Sequence, residues 1–319
     1  MTFKLLCGDA IEQLCTLPNN SVNTCITSPS YYGLRDYGNS GQIGLEKTPE
    51  EYINKLVEVF REVKRVLRDD GILWVNIGDS YSGSNKCRNK DGKIYDLSKS
   101  TITRGSGSSF GNLPCGVIPD GMKPKDLMGI PWMLAFALRA DGWYLRQDII
   151  WAKNNPMPES VKDRCTRSHE YIFMLTKNKK YYFDHEAMQE DVHPQSYKRY
   201  EHPFFDKAEQ ECPRPNNGHN TPGIKKFNGK RNKRDVWWVS VCSSVKEAHF
   251  AVFPKELIEP CVLAGCPEDG VVLDPFNGSG TTGIVALNNH RNYIGVELNP
   301  EYIEITRRRF EKELTVRVE

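Results

Sequence analysis

No stretch of this 319-residue chain stays apolar over the roughly 20 residues that a bilayer-spanning helix needs, which excludes a helical membrane protein. The opening Met1–Cys7 carries no secretory pattern, and Asp9 and Glu12 follow at once, so the expected location is cytoplasmic. Charge of one sign is also missing. Lys and Arg number 43 against 41 Asp and Glu, a net +2, so any basic surface must be local. The ten cysteines include no CxxC pair and no histidine partner at zinc spacing. They are read as buried or incidental thiols, with neither a disulfide framework nor a metal site expected. What remains is an ordinary globular composition, 39% hydrophobic and 26% charged, long enough for a sizeable core and one or two domains.

Strands and helices alternate along the chain. Lys4–Cys7 is a short apolar run ended by Gly8-Asp9, and Ala10–Leu17 fits two helical turns. Ser21–Thr27 returns as a strand and stops at Ser28-Pro29. Glu50–Arg68 is the clearest helix, with Tyr52, Leu56, Val59, Phe60, Val63, Val66 and Leu67 at helical spacing. Asp70-Gly71 is expected to stop it before the buried-type strand Ile72–Ile77. Pro131–Ala140 is a helix, and Tyr144–Trp151 and Tyr171–Thr176 are strands. Near the end come a strand at Val271–Asp274, a helix at Thr281–Asn288 and a strand at Tyr293–Glu297. The final helix starts at Pro300 behind Asn299 as N-cap. This order predicts an α/β fold with a mainly parallel sheet and helices on both faces. Ligands in such sheets sit at the carboxyl ends of strands, where Asp9, Ser28, Asp274 and Glu297 all fall.

Two segments carry chemistry. Asp274-Pro275-Phe276-Asn277-Gly278-Ser279-Gly280-Thr281-Thr282-Gly283 follows a strand and opens a helix, and Glu297 closes the next strand. The glycines permit close approach of the backbone to a ligand, and the Glu297 carboxylate can accept two hydrogen bonds from a ribose diol. A nicotinamide enzyme and a purely structural turn both fit the GxGxxG pattern. Asp274 tilts the reading toward a ligand with an ammonium group, because a pyrophosphate has no use for a carboxylate there.

The other segment is Ser28-Pro29-Ser30-Tyr31, just past a strand. An aromatic amine is a poor nucleophile, since its lone pair is delocalised into the ring. Acceptors on its two N–H bonds favour a pyramidal nitrogen and stabilise the developing charge. The Ser28 hydroxyl and Pro29 carbonyl can be those acceptors, and Tyr31 offers a face for stacking an extruded base. A strand-ending turn with a packed tyrosine is the plainer alternative.

With these segments in view, the chain resembles the N4-cytosine/N6-adenine DNA methyltransferases, in the permuted (beta) class whose catalytic motif precedes the cofactor motif. Their catalytic [Ser/Asp/Asn]-Pro-Pro-[Tyr/Phe/Trp] tetrapeptide is matched by Ser28-Pro29-Ser30-Tyr31, with Ser30 in place of the second proline. Their cofactor motif is matched by Asp274–Gly283. Phe250–Glu259, which opens in His249-Phe250-Ala251-Val252-Phe253-Pro254, looks like the helix-entry motif that lines the methionine end of the cofactor. Leu6–Asp9 looks like the Gly-Asp turn near the adenine, and Arg167–Tyr171 like a later core motif.

The resemblance implies a Rossmann-like, circularly permuted fold binding S-adenosylmethionine through Asp9, Phe253, Asp274, Pro275, Phe276, Gly278, Ser279, Gly280, Thr281, Thr282 and Glu297. It implies in-line methyl transfer to an exocyclic amine of double-stranded DNA, without a metal or a covalent adduct. Ser at the first motif position favours cytosine N4; adenine N6 is the alternative. A cognate restriction endonuclease, and a monomer or a homodimer, are compatible with it.

It also divides the chain into a catalytic half at 1–185, with an insertion at 82–125 expected to be flexible, a target-recognition region at 186–236, and a cofactor half at 237–319. Residues 186–234 show no periodicity but hold a run of six basic residues in ten: Lys225, Lys226, Lys230, Arg231, Lys233 and Arg234. These are the expected phosphate contacts, with a solvated loop as the alternative. Trp237-Trp238 reads as a packed hinge, and Arg307-Arg308-Arg309 as a solvated helix face. A nicotinamide oxidoreductase, a non-catalytic DNA-binding relative, and a methyltransferase acting on RNA or protein glutamine are the competing readings.

Overall fold

The computed structural model describes residues 1–33, 41–83, 118, 121–195, 229–241 and 253–315. Most of the expected insertion at 82–125 lies outside the described residues, as do Lys225, Lys226 and the segment His249–Val252. The described residues form two compact units: Met1–Asp184 with Asp235–Glu319, and His185–Arg234.

The first unit holds an eight-stranded sheet. In chain order its elements are β1 (Phe3–Cys7), α1 (Ala10–Cys15), β2 (Val22–Thr27), α2 (Pro49–Val66), β3 (Leu67–Ile77), α3 (Ile130–Ala140), β4 (Tyr144–Ala152) and β5 (His169–Thr176). After β6 (Gln189–Asp191) and β7 (Lys230–Asn232), which belong to the second unit, it resumes with β8 (Val236–Trp238), α4 (Lys255–Gly265) and β9 (Val271–Asp274). It ends with α5 (Thr281–Asn288), β10 (Asn292–Glu297) and α6 (Pro300–Thr315). The strand order is β1-β10-β9-β2-β3-β5-β4-β8. Among the described strands of this sheet, only β5 breaks the parallel pattern, pairing antiparallel with β3 and β4. This is the mainly parallel, helix-flanked α/β sheet expected from the alternation of strands and helices.

Helix α2 shows why the core forms where it does. Thr48 caps it by accepting from Glu51 N, Pro49 occupies the first turn, and Lys64 and Arg65 face the negative end of its dipole. Its apolar stripe, from Tyr52 through Val66, is buried against the sheet and joins Leu73, Val75 and Phe173 in the core.

Three expectations are corrected. The stop at Asp70-Gly71 is not where α2 ends: the backbone turns extended at Leu67, and β3 starts there because Val22 of β2 pairs with Leu67. Residues 186–234 are not without regular structure, since β6 and β7 pair antiparallel through Gln189–Asn232, Glu190–Arg231 and Asp191–Lys230. Trp237-Trp238 is not a hinge but part of strand β8, paired parallel with β4; Trp237 is buried and Trp238 is 70% exposed.

Candidate active site

The carboxyl edge of the sheet opens into a cavity of about 250 Å³. Both segments singled out in the sequence line it. From the glycine loop and its surroundings come Asp9, Phe253, Asp274, Pro275, Phe276, Gly278, Ser279, Thr281 and Glu297; from the tetrapeptide come Ser28, Pro29, Ser30 and Tyr31. They meet because β2 lies beside β9, so Thr27 and Asp274 end adjacent strands.

Asp274 organises the junction. Its Oδ1 accepts from Thr27 Oγ1 at 2.6 Å and from Phe276 N at 3.0 Å, and its Oδ2 accepts from Thr282 Oγ1 at 2.7 Å. Only 2% of the residue is exposed, and burial raises the carboxyl to about 6 despite these three donors. All three donors are neutral, which makes the position suited to a cationic ligand.

The glycine loop is braced from behind. Gly278 and Gly280 adopt φ of 52° and 80°, a region costly for any residue with a Cβ. A Cβ on Gly283 would collide with the rings of Phe310 and Tyr293, so glycine there lets α5 pack against α6 and β10. Arg309 Nη1 donates to Ser279 O at 2.7 Å and to Ser279 Oγ at 2.8 Å. This overturns the expected solvated Arg307–Arg309 face at one position: Arg309 is only 6% exposed, because a helix arginine can reach the loop carbonyl. Gly280 and Thr282 do not line the cavity. Gly280 is the left-handed N-cap of α5, and Thr282 is buried on Asp274.

Glu297 ends β10. Its Oε2 accepts from Gly278 N at 2.8 Å and its Oε1 from Asn299 N at 2.9 Å, while burial pushes its carboxyl upward. Each oxygen retains a lone pair that can accept a hydroxyl. Asp9 is the N-cap of α1, its Oδ1 accepting from Ile11 N and Glu12 N. Acids at Asp9, Asp274 and Glu297 with aromatic Phe253, Phe276 and Tyr302 fit a ligand that combines a cation, a diol and an aromatic ring.

The second half of the tetrapeptide is held by contacts to Ser30 and Tyr31. Tyr52 OH donates to Ser30 O at 2.8 Å, which steadies the turn where a second proline is absent. Tyr31 OH donates to Glu170 Oε2 at 2.6 Å and contacts Asn76 Oδ1 at 3.2 Å. The Tyr31 ring lies close over Gly78, where a Cβ would strike it. Burial, then the Glu170 carboxylate, hold the Tyr31 phenol well above its usual range, so it is a neutral donor and not a base.

Asn76, Lys153 and Glu170 line the same cavity and were given no role from sequence. Glu170 sits inside the Arg167–Tyr171 motif, which was the available signal. Lys153 lies one residue past β4 and carried no signal.

The basic run is placed in the second unit. Arg231 Nη2 and Arg234 Nε each lie 2.8 Å from Glu190 Oε1, and Lys230 lies 2.6 Å from Asp191. These ion pairs offset part of the charge that the sequence concentrates there.

Comparison with known proteins agrees with this geometry. A family model described as DNA methylase matches residues 22–308. The chain is 46% identical over 308 residues to the Type II methyltransferase M.Cfr9I of Citrobacter freundii, covering 97% of this chain and 87% of that protein. It is 45% identical over 307 residues to M.SmaI of Serratia marcescens, covering 96% and 90%. Among solved structures, the PvuII DNA methyltransferase (cytosine-N4-specific) superposes with a TM-score of 0.62 at 18% identity, covering 99% and 91%. A Thermus thermophilus protein described as a DNA modification methylase, complexed with S-adenosyl-L-methionine, gives 0.55 at 24% identity, covering 98% and 96%. With the family model spanning most of its length and such relatives nearly end to end, this chain is a DNA methyltransferase of the N6/N4 family.

Proposed function

We propose that the protein transfers a methyl group from S-adenosylmethionine to the exocyclic amine of a DNA base, with cytosine N4 as the target. The observation that carries this reading is the convergence of Ser28–Tyr31 and Asp274–Thr281 on one cavity. S-adenosylmethionine supplies an electrophilic sulfonium methyl. The chain supplies the rest. Asp274 draws the amino-acid ammonium, Glu297 accepts from the ribose, and Phe253 and Phe276 cover apolar surface. The Ser28 hydroxyl and Pro29 carbonyl accept hydrogen bonds from the two amine N–H groups, which frees the nitrogen lone pair, and the one proton shed on methylation passes to solvent. Tyr31, fixed by Glu170 and Gly78, is the wall against which the extruded base stacks. Ser28 favours cytosine because a neutral hydroxyl marks most N4 enzymes of the family, although either amine can be held by it.

Nucleoside mass spectrometry of unmethylated DNA incubated with the protein and S-adenosylmethionine tests the reading. N4-methylcytosine is expected. N6-methyladenine keeps the site and overturns the base; C5-methylcytosine keeps the base and overturns the amine chemistry assigned to the site.

Residues 186–236 are proposed to contact DNA, with a cytoplasmic site of action beside a cognate restriction enzyme. Replacing Lys230, Arg231, Lys233 and Arg234 by glutamine is expected to weaken DNA binding. It should also make the dependence of log K on log salt shallower by up to about four units, nearly one for each phosphate no longer neutralised. Cofactor affinity should hold. An unchanged salt slope makes the run a self-paired surface, braced by Glu190 and Asp191.

A further inference from the structure

Among the described residues outside the tetrapeptide and the glycine loop, the cavity is lined by an ion pair whose lysine has no part in the proposed methyl transfer. Lys153 Nζ is paired with Glu170 Oε1, at side-chain exposures of 20% and 14%. The remaining oxygen of Glu170 accepts from Tyr31 OH at 2.6 Å and faces Asn76 Nδ2 at 3.3 Å. Asn76 Nδ2 also donates to Tyr171 O at 3.1 Å, and its Oδ1 lies 3.2 Å from Tyr31 OH. Lys153 Nζ lies 4.7 Å from the centre of the Trp151 ring. The two charges come from neighbouring antiparallel strands, where Ala152 of β4 pairs with His169 of β5. Lys153 follows Ala152 past the end of β4, and Glu170 sits opposite Trp151 on the other side of that rung, so the pair is diagonal across it.

Taking two charges partly out of water is costly, and a buried ion pair is weak evidence for stability. A pair of apolar residues would close a strand end as well. The cost is understandable if the Glu170 carboxylate must be held in one orientation, since a charge-assisted bond to a phenol is stronger and shorter than a neutral one.

We propose that Lys153 and Glu170 are positioning residues for the target base: Lys153 holds the Glu170 carboxylate in place, and Glu170 fixes the Tyr31 ring against Gly78. Three points then define the ring: its backbone in the tetrapeptide, its face on Gly78 and its hydroxyl on Glu170. A ring so fixed presents one stacking surface at one distance from Ser28 and Pro29. A ring free to rotate about χ1 and χ2 would leave the extruded base loosely placed, and loss of in-line geometry by about 1 Å can cost roughly a hundredfold in rate.

This inference rests on transfer taking place at Ser28–Tyr31. Its test is single-turnover methyl transfer on duplex DNA carrying the mapped target site, with S-adenosylmethionine affinity measured by calorimetry on the same preparations. The variants are Glu170→Gln, Tyr31→Phe, the double variant, Lys153→Met and Ser28→Ala. Glu170→Gln and Tyr31→Phe should each slow transfer by about 10- to 100-fold, with cofactor affinity within about twofold. Lys153→Met should slow it in the same direction, by no more than Glu170→Gln does. The double variant should be no slower than the slower single one, because both act on the same bond, Glu170→Gln by weakening it and Tyr31→Phe by removing it. Multiplying losses in the double variant, or cofactor affinity falling in step with rate, would overturn the proposal. Tyr31→Phe keeps the ring and adds no charge, so it decides the matter even if Glu170→Gln fails to fold: a wild-type rate sinks the positioning role. Ser28→Ala separates the two layers. Should it be fully active, the site itself is misplaced; should it be slow while Tyr31→Phe is not, only the positioning role falls.

Discussion

Replacing Asp274 with asparagine is expected to raise the melting temperature at neutral pH while weakening S-adenosylmethionine binding by about tenfold or more. The two effects have one cause. Burial lifts the Asp274 carboxyl from 3.8 to about 6, so at neutral pH the folded protein carries an ionised group that its surroundings disfavour by about 3 kcal/mol. A raised carboxyl contributes stability that is fully present below about pH 4 and is lost as the pH rises through 6. Asparagine has nearly the same shape. Its carbonyl can accept from Thr27 and Phe276, and Thr282 can turn its hydroxyl to accept from the amide. The charge cost disappears and most of the packing survives.

A ligand ammonium near Asp274 reverses the balance by favouring the ionised form. Binding should therefore release a proton below about pH 6, and wild-type affinity should fall as pH drops through that window. The asparagine variant should lose both the affinity and this pH dependence. Calorimetry from pH 5 to 8 with thermal melts at the same points reads all of it. A lower melting temperature together with unchanged affinity would make Asp274 a structural cap of β9 and nothing more.

Much of this is legible in the sequence, for reasons that differ by element. Helix α2 is visible because its apolar stripe runs through five turns; its start falls within one residue of the expected Glu50, and its end falls earlier than expected. Asp70-Gly71 has the chemistry of a stop, but pairing of Val22 with Leu67 sets the boundary earlier, and strand pairing across 45 residues is not a local signal. The reversal of β5 is equally invisible, since an antiparallel strand buried on both faces has the same apolar run as a parallel one.

At the site, Ser28, Tyr31, Asp274 and Glu297 can be found because each sits at a strand end beside a turn. Arg309 escapes because its two arginine neighbours suggest a uniform exposed face, whereas helical spacing turns one of three consecutive residues inward. Lys153 and Glu170 escape because their meaning comes from each other. A lysine after one strand and a glutamate at the start of the next become a pair only through the β4–β5 register. The remaining gap concerns DNA contacts: Arg231 and Arg234 read as free cations in sequence, but share Glu190 in the folded unit.

Removing the Ser28 hydroxyl is the sharpest challenge to the proposed chemistry. Ser28→Ala is expected to slow methyl transfer by about 100- to 1,000-fold, the usual loss for one preorganised polar contact to a developing charge. Its cofactor affinity should stay within about twofold, because the groups proposed to hold the cofactor lie on β9, β10 and the glycine loop, where Phe276, Thr282 and Gly278 bond Asp274 and Glu297 without the help of Ser28. DNA affinity should also hold, since phosphate contacts are proposed for the other unit. The loss should thus fall on the transfer step in single-turnover experiments and leave KM nearly unchanged. The substitution is mild for the fold: alanine lacks the oxygen and its contact with the Tyr31 hydroxyl, while the turn keeps Pro29, the Tyr52–Ser30 bond and the Tyr31–Glu170 bond. Activity should not vanish, because the Pro29 carbonyl still accepts one amine hydrogen and Tyr31 still positions the base. Wild-type turnover in Ser28→Ala would remove the hydroxyl from the chemistry and, with it, the ground for choosing cytosine N4. A loss confined to cofactor affinity would instead move Ser28 to the methionine end of the cavity, beside Asp274 and its partner Thr27.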